Sequence, residues 1–227
     1  MNLLSPEKLQ FLIFLAPPLL LSLTIHEFAH GRVALAFGDP TALRAGRLTL
    51  NPLKHLSLIG TLMLFLVGFG WAKPVPVNPY LMKPARLGNI MVSLAGPMSN
   101  LALAIICGCL LKILIVSSRM GIFANHEALW DVLQQVFFIT MLINIMLCVF
   151  NLIPLAPLDG YHILGGLLPP DMRPGYDAFQ RQYGMFILLA LLFGPRILSS
   201  LSGSYVPGPI SIVFDVIRHL TMKLVLI

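Results

Sequence analysis

Three stretches of this chain, residues 9–37, 89–116 and 130–152, each run for more than twenty residues with very little charge. At about 1.5 Å per residue, helices of that length cross the roughly 30 Å hydrocarbon layer of a bilayer. A water-soluble domain has no place for three of them in 227 residues. Composition points the same way: 57% of the residues are hydrophobic and only 11% charged, against about 25% charged in ordinary soluble domains. The same figures exclude a disordered chain, a collagen-like repeat and, with three cysteines, a disulfide-stapled scaffold.

The stretch 9–37 does not read as a secretory signal. Its amino end lacks a basic region, no small-residue cleavage pattern follows, and it exceeds the apolar core of about 7 to 15 residues that a signal carries. Pro17 and Pro18 are expected to bend it.

Fifteen basic residues against nine acidic ones give a net charge of +6. The basic residues stand singly or in short groups between apolar segments, the pattern of charges facing anionic lipid rather than of a nucleic-acid-binding face. Cys107, Cys109 and Cys148 lie within apolar runs. Cys107 and Cys109 are two apart and point to nearly opposite sides of a helix, so they read as small buried apolar residues rather than a metal-binding pair.

Residues 56–71 are apolar but short, and Gly60, Gly68 and Gly70 interrupt them. Arg44, Arg47 and Lys54 precede this segment, and Lys73, Lys83 and Arg86 follow it. A crossing would put half of these charges outside, whereas a segment that dips in and returns keeps all six on one side, as the positive-inside bias favours. Near the carboxyl end, residues 183–201 contain Pro195 and Arg196, and residues 209–227 contain Asp215, Arg218 and His219. One or two further spans, or an interfacial helix, fit them. The expected fold is an all-α polytopic membrane protein, one domain over residues 1–227. It has three core transmembrane helices, a re-entrant hairpin or loop, and one to three further membrane helices. The core covers residues 9–165, and C-terminal membrane helices occupy 183–227.

Within the first span stands His26-Glu27-Phe28-Ala29-His30, the pattern H-E-x-x-H. Four residues apart on a helix, the two imidazoles share a face and can bind one Zn²⁺ at about 2.0–2.1 Å. Glu27 is then placed to take a proton from a zinc-bound water. An unpartnered ionisable residue at membrane depth costs about 2.5 kcal/mol or more. Three within five residues need a reason, and metal ligation supplies one.

Two histidines leave a catalytic zinc one protein ligand short. Asp159, in Asn151-Leu152-Ile153-Pro154-Leu155-Ala156-Pro157-Leu158-Asp159-Gly160, is the first candidate for the third. Pro154 and Pro157 break the third span near its inner end, and Gly160 permits a turn that aims Asp159 inward. His162 is the competing ligand. Asn144 and Asn151 are seven apart and share a helix face. Asn151 suits an oxyanion donor, with interhelical hydrogen bonding as the alternative role.

Together these residues resemble the site-2 protease family of intramembrane zinc metallopeptidases. H-E-F-A-H is similar to its first motif and N-L-I-P-L-A-P-L-D-G to its second. Ala95-Gly96-Pro97-Met98-Ser99-Asn100 resembles its A-G-P-x-x-N segment. Gly38-Asp39-Pro40, the phrase from Ala45 to Pro52 and the phrase from Gly70 to Pro79 are similar to those of its short members, which lack the PDZ or CBS domain of larger ones. The likeness covers residues 20–165. It departs at Ser57, where an acidic residue is expected, and at Tyr161, where a small or polar residue often stands. The resemblance implies that His26, His30 and Asp159 bind zinc, that Glu27 is the general base, and that Asn151 holds the substrate or the oxyanion. Asn100, Asn144, Val75 and Val77 are further candidates for positioning substrate.

A peptide bond inside a transmembrane helix is shielded by its own hydrogen bonds, so a protease acting there must receive unwound chain. Arg47 to Leu50 alternate in polarity, and Val75 and Val77 alternate with prolines. Both suit strands of a re-entrant hairpin that takes the substrate by strand addition. The expected function is hydrolysis of peptide bonds in or near the transmembrane helix of a membrane protein. The expected partners are that substrate and the bilayer, with no nucleic acid. The expected place is a cell membrane, with the site towards the cytoplasm. A divalent-metal transporter using the same His, His and Asp, and a scaffold that binds membrane helices without cutting them, are the alternatives.

Overall fold

A computed structural model of the chain describes residues 6–67, 70–122 and 126–226; Gly68, one of the glycines noted above, lies outside them. Helix α1, Pro6–Ala36, carries Pro17 and Pro18 inside it without interruption. It ends where Gly38 adopts φ 98°. The Gly38 amide then reaches the Leu35 carbonyl, and the Asp39 amide reaches Ala34, the paired bonds that a left-handed glycine permits at a helix end. After the short α2, Thr41–Arg44, and a 3-10 turn at Pro52–Lys54 comes α3, Leu58–Val67. A long helix follows, α4, Ala85–Arg119, then α5, Glu127–Asn151. The carboxyl third holds α6, Asp159–Leu167; α7, Arg173–Phe179; a π-turn at Gln180–Gly184; α8, Met185–Ser202; and α9, Pro209–Leu226.

Helix α4 is the centre of the bundle, packed against α1, α5 and α6, while α1 also touches α5. Three continuous helical stretches among the described residues are long and apolar enough to span a membrane: Ala85–Arg119, Glu127–Asn151 and Arg173–Ser202. Large apolar side chains stand outward on them, among them Ile105, Ile113, Phe186 and Leu201, as a surface that meets lipid requires. The fold is therefore that of an all-α polytopic membrane protein. At 31 residues, α1 is about 46 Å long and also exceeds the bilayer core.

The excursion around α3 begins and ends at one place. Leu56 and Ala72 form an isolated antiparallel bridge, and the Lys73 amide donates to the His55 carbonyl at 2.8 Å. A segment whose two ends are hydrogen-bonded together leaves and returns. Its ascending limb is helical, and the expected strands at 47–50 and 75–77 are absent from the described residues. Prolines 74 and 76 offer no amide for a ladder. Side chains bind that stretch instead: Arg47 Nη2 donates to the Lys73 carbonyl at 2.6 Å, and the Asn78 amide donates to Asp39 at 2.6 Å. Ser57 Oγ accepts from the Gly60 amide at 3.1 Å near the start of α3. Cys109 is exposed on α4 whereas Cys107 and Cys148 are buried, so one of the three faces outward rather than into the core.

Candidate metal centre

His26 and His30 occupy successive turns of α1, and Asp159 is the first residue of α6. The two imidazole Nε2 atoms lie 2.9 Å apart. Asp159 Oδ2 is 3.3 Å from His26 Nε2, and Oδ1 is 3.4 Å from His30 Nε2. Among the described residues these three form a group with the spacing of a metal site. Four ligands at about 2.0–2.1 Å around a tetrahedral zinc stand roughly 3.3 Å from one another, so the donor set fits that ion.

Hydrogen bonding around the rings decides which nitrogens face the site. His30 Nδ1 lies 2.7 Å from the Val92 carbonyl, which can only accept, so Nδ1 carries a proton and in the neutral ring Nε2 is bare. His26 Nδ1 lies 2.6 Å from Asn100 Oδ1. That amide cannot be turned round, because Asn100 Nδ2 donates to Asn144 Oδ1 at 2.8 Å and to the Ser22 carbonyl at 3.3 Å. Asn144 is fixed in turn, its Nδ2 donating to Ser22 Oγ and to the Thr140 carbonyl, while Ser22 Oγ donates to the Pro18 carbonyl. The chain of donors sets His26 in the same tautomer as His30. Two bare nitrogens and a carboxylate thus converge, with Asp159 Oδ2 buried and without a hydrogen-bond donor. Such a cluster repels itself unless a cation joins it.

Asn100 and Asn144, candidates for positioning substrate, are both fully buried. Asn100 contacts His26 directly, and Asn144 contacts Asn100. Val77 is likewise packed inward, against the cluster of Ala34, Met82 and Val92. Val75 is buried, and its amide donates to Glu27 Oε2 at 2.7 Å. Asn151 folds back on its own helix, donating to the Leu147 carbonyl at 3.0 Å. His162 stays outside the ligand group, its ring against Tyr161.

Two residues escaped the sequence reading. Gly96 backs onto both imidazoles: a Cβ there would stand 2.5 Å from His30 Nε2. The A-G-P phrase carried that signal without its reason. Gln180, in the π-turn, clamps the loop before Asp159: its Oε1 accepts from the Ala156 amide at 2.9 Å, and its Nε2 donates to the Pro154 carbonyl at 2.8 Å. Gly184 leaves room for that side chain. Gly160 has an ordinary φ, so it does not serve a left-handed turn as expected. It is needed because a Cβ would meet the Leu152 and Ile153 carbonyls at 2.4 Å.

The profile of peptidase family M50 matches residues 111–195. YwhC of Bacillus subtilis, whose name describes a candidate zinc metalloprotease, is 44% identical over 201 residues, covering 88% of this chain and 87% of its own. The chain belongs to peptidase family M50, the site-2 protease family. Rip2 of Mycobacterium tuberculosis, named in the same way, is 34% identical over 184 residues, covering 78% of this chain and 66% of its own. No solved structure matches the chain. As a member of M50 the protein is a zinc metalloprotease in a membrane, and its cofactor is zinc. The family profile takes in Asp159 and Gln180 but ends before α9.

Proposed function

We propose that this protein hydrolyses peptide bonds within or next to the transmembrane helix of a membrane-protein substrate, with His26, His30 and Asp159 as zinc ligands. The observation that carries the reading is the convergence of two bare imidazole nitrogens and a carboxylate on a bundle whose outer faces are apolar. Glu27 follows His26 on α1 and is held by the Val75 amide. When bound, zinc polarises the scissile carbonyl and lowers the pKa of a ligated water to about 7. With zinc held by His26, His30 and Asp159, the Glu27 carboxylate would take a proton from the attacking water and give it to the leaving amine. The Val75 amide keeps its carboxylate from turning away, and Asn151, with one N–H on Leu147, has a second to give to the oxyanion.

The six basic residues flanking the excursion support a cytoplasmic position for this end of the bundle in a cell membrane. Water and unwound substrate then reach the site from that side. The test is the full chain in vesicles with a single-span membrane protein, its fragments sized by mass spectrometry. Cuts within or beside the span, abolished by a zinc chelator and restored by Zn²⁺, are expected. Cuts confined to distant soluble loops, or metal flux without any cutting, would overturn the reading.

A further inference from the structure

Two of the spanning elements, α4 and the stretch Arg173–Ser202, begin beside one open cleft of about 220 Å³. Its wall includes Tyr80, Ala85, Arg86, Asn89, Gly166 and Arg173. At 30 residues the second element is about 45 Å long, the thickness of a bilayer with its headgroup layers. Its first residue, Arg173, therefore stands at headgroup level. Tyr80, 94% exposed on the same cleft, fits that level too, where aromatic rings gather.

The two guanidinium groups meet at the carboxyl end of α6. Arg86 Nε donates to the Gly166 carbonyl at 2.6 Å and Nη2 to the Leu168 carbonyl at 2.9 Å. Arg173 lies across the neighbouring Gly165, where a Cβ would stand 2.8 Å from its Cζ, and its Nε donates to Asp177 at 2.8 Å. The N–H groups on Arg86 Nη1 and on both Nη atoms of Arg173 have no acceptor among the described residues. Both side chains are accessible, Arg86 exposed and Arg173 31% so. No acidic residue lines the cleft among the described residues. Asp177 balances one of the two cations, and one positive charge is left over.

Leu87 and Met91 stand four apart on α4, both exposed, and form an apolar track from beside Arg86 into the span. A free phosphate gains nothing from such a track, whereas an acyl chain does. We propose that the cleft binds the phosphodiester headgroup of one anionic phospholipid, its oxygens taking N–H donors from Arg86 and Arg173 and its acyl chains lying along Leu87 and Met91. The charge left over on the wall matches the single negative charge of a diester. Seated there, the headgroup joins α4 to α7 at the far end of the helix that begins with Asp159.

The test uses the full chain in a neutral detergent, with native mass spectrometry of retained phosphatidylglycerol and of phosphatidylcholine with the same acyl chains. Saturable retention of one phosphatidylglycerol is expected, preferred about fivefold or more over phosphatidylcholine. Ala85→Glu keeps both arginines, adds a carboxylate to the cleft and suits the first turn of a helix. Arg173→Gln removes one of the two charges. Each is expected to weaken retention about fivefold or more. Lys54→Gln, which removes an exposed charge away from the cleft, is expected to leave retention unchanged. Equal retention of the two lipids, or retention that survives either cleft substitution, overturns the proposal. So does an equal loss in Lys54→Gln, which would mark a general attraction to basic loops. Inorganic phosphate at the lipid's concentration is expected to leave the lipid in place; displacement by it would make the cleft a free-phosphate site and overturn the lipid assignment.

Discussion

Gly96 lies so close against His30 that a Cβ at position 96 would stand 2.5 Å from the ring's Nε2. It would stand 2.6 Å from His26 Nε2 as well. The wall of the metal centre is thus bare backbone of α4, and any side chain there occupies the place of the ligand atoms. Gly96→Ala is expected to retain the helical circular-dichroism spectrum and to purify with less than a tenth of the wild-type zinc. Metal analysis of the purified variant checks it.

Asn100 joins His26 to a relay that reaches Asn144, Ser22 and the Pro18 carbonyl. Removing the acceptor frees the ring to turn and to change tautomer. Outer partners of metal-bound histidines are worth about 10–100-fold in metal affinity. Asn100→Leu is expected to weaken zinc binding by about that factor, measured by competition with a chelator of known affinity.

Gln180 bonds to both sides of the turn that delivers Asp159, through Ala156 and Pro154. Gln180→Ala leaves the half-buried Ala156 amide without its acceptor, while the Pro154 carbonyl keeps the Tyr176 hydroxyl as a donor at 3.1 Å, at a cost of about 1 kcal/mol. The expected result is a lower thermal midpoint together with a lower zinc affinity. Gln180→Glu keeps the acceptor for Ala156 and is expected to fall between the two.

Asp39 ties the end of α1 to the chain that crosses Glu27, accepting from the Thr41 amide and hydroxyl and from the Asn78 amide. Burial pushes its carboxyl up, but the bonds from Thr41 and Asn78 outweigh that and hold it below the usual carboxylate range. A group lowered on folding adds stability above its unfolded pKa of about 3.9 and loses it as pH falls through the folded value. Asp39→Asn is therefore expected to melt below wild type at pH 7. The gap in thermal midpoint should close as the pH is brought down to 3 and below.

How much of this was legible in the sequence depended on how locally each relationship is made. The His26 and His30 pair follows from helix spacing alone, and Asp159 was marked by the prolines that break the chain after Asn151. The contact of Asn100 with His26 spans 74 positions, and that of Val75 with Glu27 spans 48. Neither leaves a periodic trace. Asparagine reads equally as a substrate donor or as an interhelical bond, and only burial separates the two. The expected strands at 47–50 and 75–77 are absent from the described residues for a physical reason: alternation at Val75 and Val77 resembles a strand, but Arg47, Glu27 and Asp39 bind the backbone groups that a neighbouring strand would need. Gln180 lies beyond the resemblance, in a π-turn with no sequence signature.

The central claim is that Glu27 works as a base beside a zinc held by His26, His30 and Asp159. Glu27→Gln keeps the size of the side chain and an acceptor for the Val75 amide while removing the base. Zinc content and cleavage of a vesicle-bound helical substrate, measured on the same preparation, test it most directly. The account predicts full zinc occupancy with cleavage reduced at least a thousandfold, on the order of what removing an essential catalytic group does. Cleavage close to the wild-type rate with zinc retained would contradict it.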